Sequence, residues 1–201
     1  MSKKSEVINI AYVDDKFDRE ISKYLYNYQY DENKVKIVSC EIEFTKEDNY
    51  KTLLKKLTDK GINLLIIDSA LYLLEDQREK RFTGEEFKII LKRLFPYIET
   101  IVVSQNEKKD SYDIIKKYND EKNPEKYYSE ILGKCIDKKI NEILMGREIF
   151  KNLDEKRELD SELLEKISLS LSGGDEYSEL KGEDIKELIE IFKELKRSIN
   201  G

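Results

Sequence analysis

Apolar and polar positions along the chain fall into two alternating periods. Ile8 to Val13, Val35 to Ile42, Ile62 to Ile67 and Glu99 to Ser104 are short runs rich in aliphatic residues, and each predicts a β-strand. The run ending at Asp68 shows no alternation of polar and apolar positions, as expected of a central strand covered on both faces. Between the runs the period changes to that of helices. Phe17, Ile21, Leu25 and Tyr28 form one stripe over Lys16 to Tyr28, and Tyr50, Leu53, Leu54 and Leu57 form a second. Thr45 with Asp48 has capping-box spacing before the second helix, and Gly61 is placed to close it. Thr83 with Glu86 opens a third helix carrying Phe87, Ile90, Leu91 and Leu94, which Pro96 stops.

Lys117 lies only 13 positions after Ser104, too few for an ordinary helix and strand with their connections. Tyr112 to Lys117 reads as a short fifth strand, so the helix before it is expected to be lost or reduced to a turn. Asn123 and Pro124 then start a long helix with Tyr128, Ile131, Leu132, Cys135, Ile136, Ile140, Ile143 and Leu144 at intervals of three and four, expected to end or break at Gly146. Beyond Arg147 the pattern is helical without strands, over Asp160 to Leu171 and Asp184 to Ile199, with a Ser172 to Asp175 turn between them. This order predicts an α/β fold, a doubly wound, flavodoxin-like, five-stranded parallel sheet of order 2-1-3-4-5, spanning 1–146, with a helical appendage over 147–201.

Composition narrows the function. Charged residues make up 40% of the 201-residue chain, but 37 basic against 43 acidic groups give a net charge of −6, which offers no support for general nucleic-acid binding. No apolar run approaches the roughly 18 residues needed to span a bilayer, and Cys40 and Cys135 lie in apolar periodic segments as reduced core residues. A cytoplasmic protein without membrane partners is expected. The thirteen tyrosines have no basic platform around them and read as core and edge residues. Histidine is absent, which removes Ser-His-Asp and Cys-His catalysis and histidine-containing zinc sites.

The remaining chemistry belongs to carboxylates, hydroxyls and lysines. Asp14 and Asp15 end the first apolar run and Asp68 ends the third. In a doubly wound sheet these strand ends open into one crevice, and a converging all-oxygen cluster suits a hard cation such as Mg²⁺.

The ordered set Tyr12-Val13-Asp14-Asp15, Ile66-Ile67-Asp68, Val102-Val103-Ser104 and a lysine ending strand five, with Gly84 before the third helix, resembles the response-regulator receiver domain over about residues 7–145. The resemblance implies that Asp68 is the phosphoacceptor and that Asp14, Asp15 and Asp68, with the Ala70 carbonyl, hold Mg²⁺. It further implies that Ser104 meets the phosphoryl group and that Lys117, or its neighbour Lys116, pairs with it. A histidine kinase or phosphotransfer protein would be the donor and a downstream protein the target, with no DNA binding and with homodimerisation left open. On this reading the chain is not a turnover enzyme; its only catalysis would be its own phosphotransfer and dephosphorylation.

The sequence also departs from the family. The 69–83 loop is long, lacks the usual proline, and carries Leu71 to Leu74, expected as a buried plug; no proline follows Lys117. The competing expectation is a receiver-like scaffold controlled by binding or oligomerisation alone. A Mg²⁺-dependent phosphohydrolase fits less well, because Ser69 and Ala70 follow Asp68 where such enzymes carry a second acid two residues on.

Overall fold

The computed structural model describes residues 6–31, 35–71, 83–105, 114–119 and 123–156, the last with side chains to residue 152. Five strands, β1 (Glu6–Asp14), β2 (Val35–Glu43), β3 (Leu64–Asp68), β4 (Glu99–Ser104) and β5 (Ile114–Lys116), form one sheet. Their order is β2-β1-β3-β4-β5 and every neighbouring pair is parallel. This is the doubly wound, flavodoxin-like arrangement that the alternating pattern predicts.

Helices α1 (Arg19–Asn27), α2 (Tyr50–Asp59), α3 (Gly84–Leu94), α4 (Pro124–Tyr128) and α5 (Lys134–Lys156) cover the two faces. Strand parity sorts the core between them. Leu65 and Ile67 of β3 join Val13, Leu53, Leu57, Phe87 and Leu91 on the α2–α3 side. Leu64 and Ile66 join Ile8, Ile10, Ile21, Leu25, Leu132, Ile136 and Ile140 on the α1–α5 side. The four aliphatic residues of β3, Leu64 to Ile67, are fully buried, and each such side chain contributes about 1.5–3 kcal/mol on leaving water. The central strand therefore anchors both layers, which explains its lack of alternation.

Several predicted boundaries move. The first helix starts at Arg19 rather than Lys16, because Asp18 accepts from the Glu20 and Ile21 N–H groups as the N-cap; Asp15 does not cap it. The Thr45–Asp48 pair does not open α2. Asn49 is that helix's N-cap, in a reciprocal capping box with Thr52, and Thr45 and Asp48 form a separate bracket before it. The third helix is capped by Thr83 and Glu86 as predicted. Gly61, at φ 56°, closes α2 in the left-handed conformation that glycine tolerates. The third strand begins at Leu64, two residues later than expected: the Ile62 N–H still bonds back to the Leu57 carbonyl of α2, and Asn63 makes the first backbone bonds to Asn9 and Glu99 just ahead of the strand.

The long helix departs from expectation at its far end. Gly146 neither ends nor interrupts it: α5 runs on to Lys156, and a Cβ at Gly146 would meet nothing within 4 Å. A glycine inside a helix costs only about 1 kcal/mol relative to alanine, so without a competing cap it does not stop the chain. Between α4 and α5, Ser129–Gly133 forms one π turn. A Cβ on Gly133 would lie 2.3 Å from the Tyr24 hydroxyl oxygen, so this glycine admits the α1 tyrosine into the helix surface. Tyr28 donates to Asp137 and Tyr30 to Asn141 at 2.8 Å, completing a phenolic seam between the α1 segment and α5.

The region before β5, the 72–82 part of the long loop, and the predicted helices over 160–171 and 184–199 lie outside the described residues. Leu71, the one described member of the expected plug, is buried. Cys40 and Cys135 are free thiols, each half-buried. No helix among the described residues is long and apolar enough to cross a membrane.

Candidate functional site

Register brings the strand ends together. Val13 pairs with Ile67, Asp68 with Val103 and Ser104 with Lys116, so Asp14, Asp68, Ser104 and Lys117 all fall at the carboxyl edge of β1, β3, β4 and β5. Asp14 and Asp68 are buried, at 1% and 5% exposure, and Asp15 is half-buried. Each of the three offers a carboxylate oxygen, and these oxygens lie within 4.8 Å of one another.

Lys117 is the lysine that reaches them. Its ammonium is 2.7 Å from Asp68 Oδ1 and 3.1 Å from Asp14 Oδ2. Burial works to lower its pKa, but the Asp68 hydrogen bond and the charges of Asp68 and then Asp14 outweigh it, and the net shift is upward. Asp14 and Asp68 share this one ammonium, and the Asp15 carboxylate stands beside them. An all-oxygen donor set of three acids fits a small divalent cation. Asp14, Asp15 and Asp68 are the residues that would hold it.

The chain takes specific steps to set these side chains. The Asp68 carboxylate accepts the Ala70 N–H at 2.8 Å through Oδ2, folding the start of the loop over its own strand end. The Ser69 N–H continues the ladder to the Val103 carbonyl at 2.8 Å, and its hydroxyl donates to both Glu85 oxygens, at 2.8 and 2.9 Å. Gly84 sits against this turn: an added Cβ would lie 2.3 Å from the Asp68 carbonyl oxygen. The glycine singled out in the sequence is thus a close-approach position joining α3 to the end of β3.

At the other side, β5 is only three residues long, yet Lys117 is firmly placed. Its N–H donates to the Ser104 carbonyl at 2.7 Å. The Tyr127 hydroxyl donates to the Lys116 carbonyl at 3.0 Å, and the Tyr118 N–H donates to the Tyr128 hydroxyl at 3.0 Å. Two α4 phenols therefore bracket the lysine where no proline follows it. Ser104 is buried at the end of β4 on the same edge. Lys116 contributes its carbonyl to this bracket.

Sequence reasoning missed Tyr12. Its hydroxyl donates to Asp14 Oδ2 and accepts the Asp18 N–H at 3.2 Å. Burial, then the neighbouring Asp14 charge and hydrogen bond, push its pKa far up, so it stays a neutral donor. The available signal was the spacing: residues two apart in a strand share a face, which puts Tyr12 beside Asp14.

The sequence matches no protein-family model and no curated protein. Among solved structures, the chain is similar to one described as the crystal structure of a two component transcriptional regulator AraC from Clostridium phytofermentans ISDg. The identity is 18%, the TM-score 0.41, and the similarity covers 70% of this chain and 97% of that chain.

Proposed function

We propose that the chain is an atypical response-regulator receiver protein in which Mg²⁺-dependent phosphorylation of Asp68 switches protein–protein interactions. The observation that carries this reading is the Lys117 ammonium bridging Asp68 and Asp14 beside Asp15, at one rim of a doubly wound sheet. Asp14, Asp15 and Asp68 are the residues for Mg²⁺. When bound, the ion supplies neutralisation of the charge on the phosphoryl oxygens.

The chain's own groups account for the rest. An Asp68 carboxylate oxygen forms the new P–O bond as the donor's bond to phosphorus breaks, which gives an acyl phosphate. Lys117, already on Asp68, is placed to pair with the transferred oxygens, and Ser104 ends the adjacent strand. The acyl phosphate carries about −1.5 to −2 charge where the carboxylate carried −1, a net gain of about half to one negative charge, in a pocket already rich in carboxylates. That charge favours whichever packing brings donors inward, so the output is a population shift. The donor is a histidine kinase or phosphotransfer protein, and the target is another protein.

Incubation with acetyl phosphate and Mg²⁺, read by intact mass, tests the reading. Wild type should gain one phosphoryl group and Asp68→Asn none. A wild type that behaves like Asp68→Asn, with no response to beryllofluoride either, moves the conclusion to a receiver-like scaffold that works by binding alone.

A further inference from the structure

Tyr12 occupies a β1 position where the core asks only for an apolar side chain. Its ring is 1% exposed and packs against Phe17, with centroids 5.5 Å apart. Phenylalanine would supply the same packing. A buried hydroxyl costs free energy unless both its donor and acceptor roles are met, and here both are met at the rim of the candidate site. It donates to Asp14 Oδ2 and accepts from the backbone of Asp18, the residue that caps α1.

Asp14 is held from three directions. The Lys16 N–H reaches Oδ1 at 3.1 Å, and Lys117 reaches Oδ2 at 3.1 Å, the oxygen that also receives the Tyr12 hydroxyl. A carboxylate held in this way cannot rotate without breaking one of these bonds. Hydrogen-bonding partners behind a ligating group commonly fix its orientation, and losing one typically weakens metal affinity by about 10–100-fold.

We propose that Tyr12 is a positioning residue that holds the Asp14 carboxylate toward Asp15 and Asp68 for a divalent cation, and that links cation occupancy to the N-terminus of α1. The inference rests on the metal reading of the site given above. The hydroxyl touches both a candidate ligand and the residue that caps α1. A cation that draws on Asp14 alters the Tyr12 bond, and the Asp18 amide hydrogen-bonded to the same oxygen senses the change.

The test uses the full chain as wild type, Tyr12→Phe and Asp14→Asn. Mn²⁺ binding is followed by electron paramagnetic resonance, folding by circular dichroism, and backbone amides by NMR during a Mg²⁺ titration. Tyr12→Phe should fold and bind Mn²⁺ about 10-fold more weakly than wild type, and its Asp18 amide should lose the Mg²⁺-dependent shift seen in wild type. Equal affinity in wild type and Tyr12→Phe overturns the role of Tyr12 and leaves the metal site standing. A wild type that binds neither ion overturns both. The wild-type titration decides even if the variant does not fold: a Lys16 amide that moves with Mg²⁺ while Asp18 stays still overturns the link.

Discussion

Asp48 and Asp68 are both buried carboxylates just beyond or at the carboxyl end of a strand, and each is in contact with a lysine. Their neighbourhoods differ in origin and in charge. Asp48 takes the Thr45 N–H and hydroxyl and the Lys56 ammonium on Oδ2, at 2.8, 3.0 and 2.6 Å, and the Thr52 hydroxyl on Oδ1 at 2.9 Å. Every one of these partners lies within eight residues of it. Asp68 instead shares its lysine with Asp14, 103 residues from Lys117, and a third carboxylate stands close by. The first arrangement pairs one carboxylate with one ammonium and ties down a loop. The second gathers side chains from the ends of β1, β3 and β5 and sets two carboxylates on one ammonium with a third beside them, a convergence that partners local in sequence do not produce.

The most severe break in this contrast is Lys117→Met. Removing one partner of a buried ionic group costs about 3–5 kcal/mol, so urea unfolding without divalent ion should show a loss of that order. Mg²⁺ should restore more stability to the variant than it adds to wild type. Next in size is the effect of the ion on wild type: at a concentration of 100 times its dissociation constant it should add about 2.7 kcal/mol, read as a shift in the urea midpoint. Asp68→Asn should show a smaller increment, whereas Asp48→Asn should keep the full one. Asp48→Asn should itself cost about 1.5–3 kcal/mol through its charged hydrogen bonds, with no change in phosphoryl uptake.

Acid gives the smallest and most selective test. Burial works to raise the Asp48 pKa, but the Lys56 hydrogen bond and the Thr45 and Thr52 donors outweigh it and bring it to about 2. A carboxyl depressed below its unfolded value of about 3.9 contributes stability above that value and loses it as pH falls from about 4 toward 2. The stability–pH slope in that window should flatten in Asp48→Asn. Lys117 has the opposite sign: with its pKa raised, its contribution is intact at neutral pH and lost only as alkali carries the solution through its folded value.

The sheet was readable because strand parity and burial leave a direct mark on sequence. The unbroken Leu64–Ile67 run and the acids ending two strands were enough to place Asp14, Asp15 and Asp68 at one rim. Boundaries fared worse where two residues compete for one role. Thr45 and Asp48 have capping-box spacing but bond each other, leaving the cap to Asn49. Gly146 has the right identity for a stop but nothing against which to stop. The choice between Lys116 and Lys117 could not be made from a run of two lysines; it is made by three backbone bonds, one to β4 and two to α4 tyrosines. Tyrosines were the least legible residues, since hydropathy credits the ring and says nothing of where the hydroxyl goes.

Gly84 has a mechanical consequence. Nothing larger than a hydrogen separates the first turn of α3 from the Asp68 carbonyl, and Ser69 clasps Glu85 in that same turn. A strand tip and a helix seated this tightly have no compressible layer between them. Any shift of the backbone at position 68 is therefore delivered to α3 as a push on its leading end, and the helix answers by moving bodily or not at all.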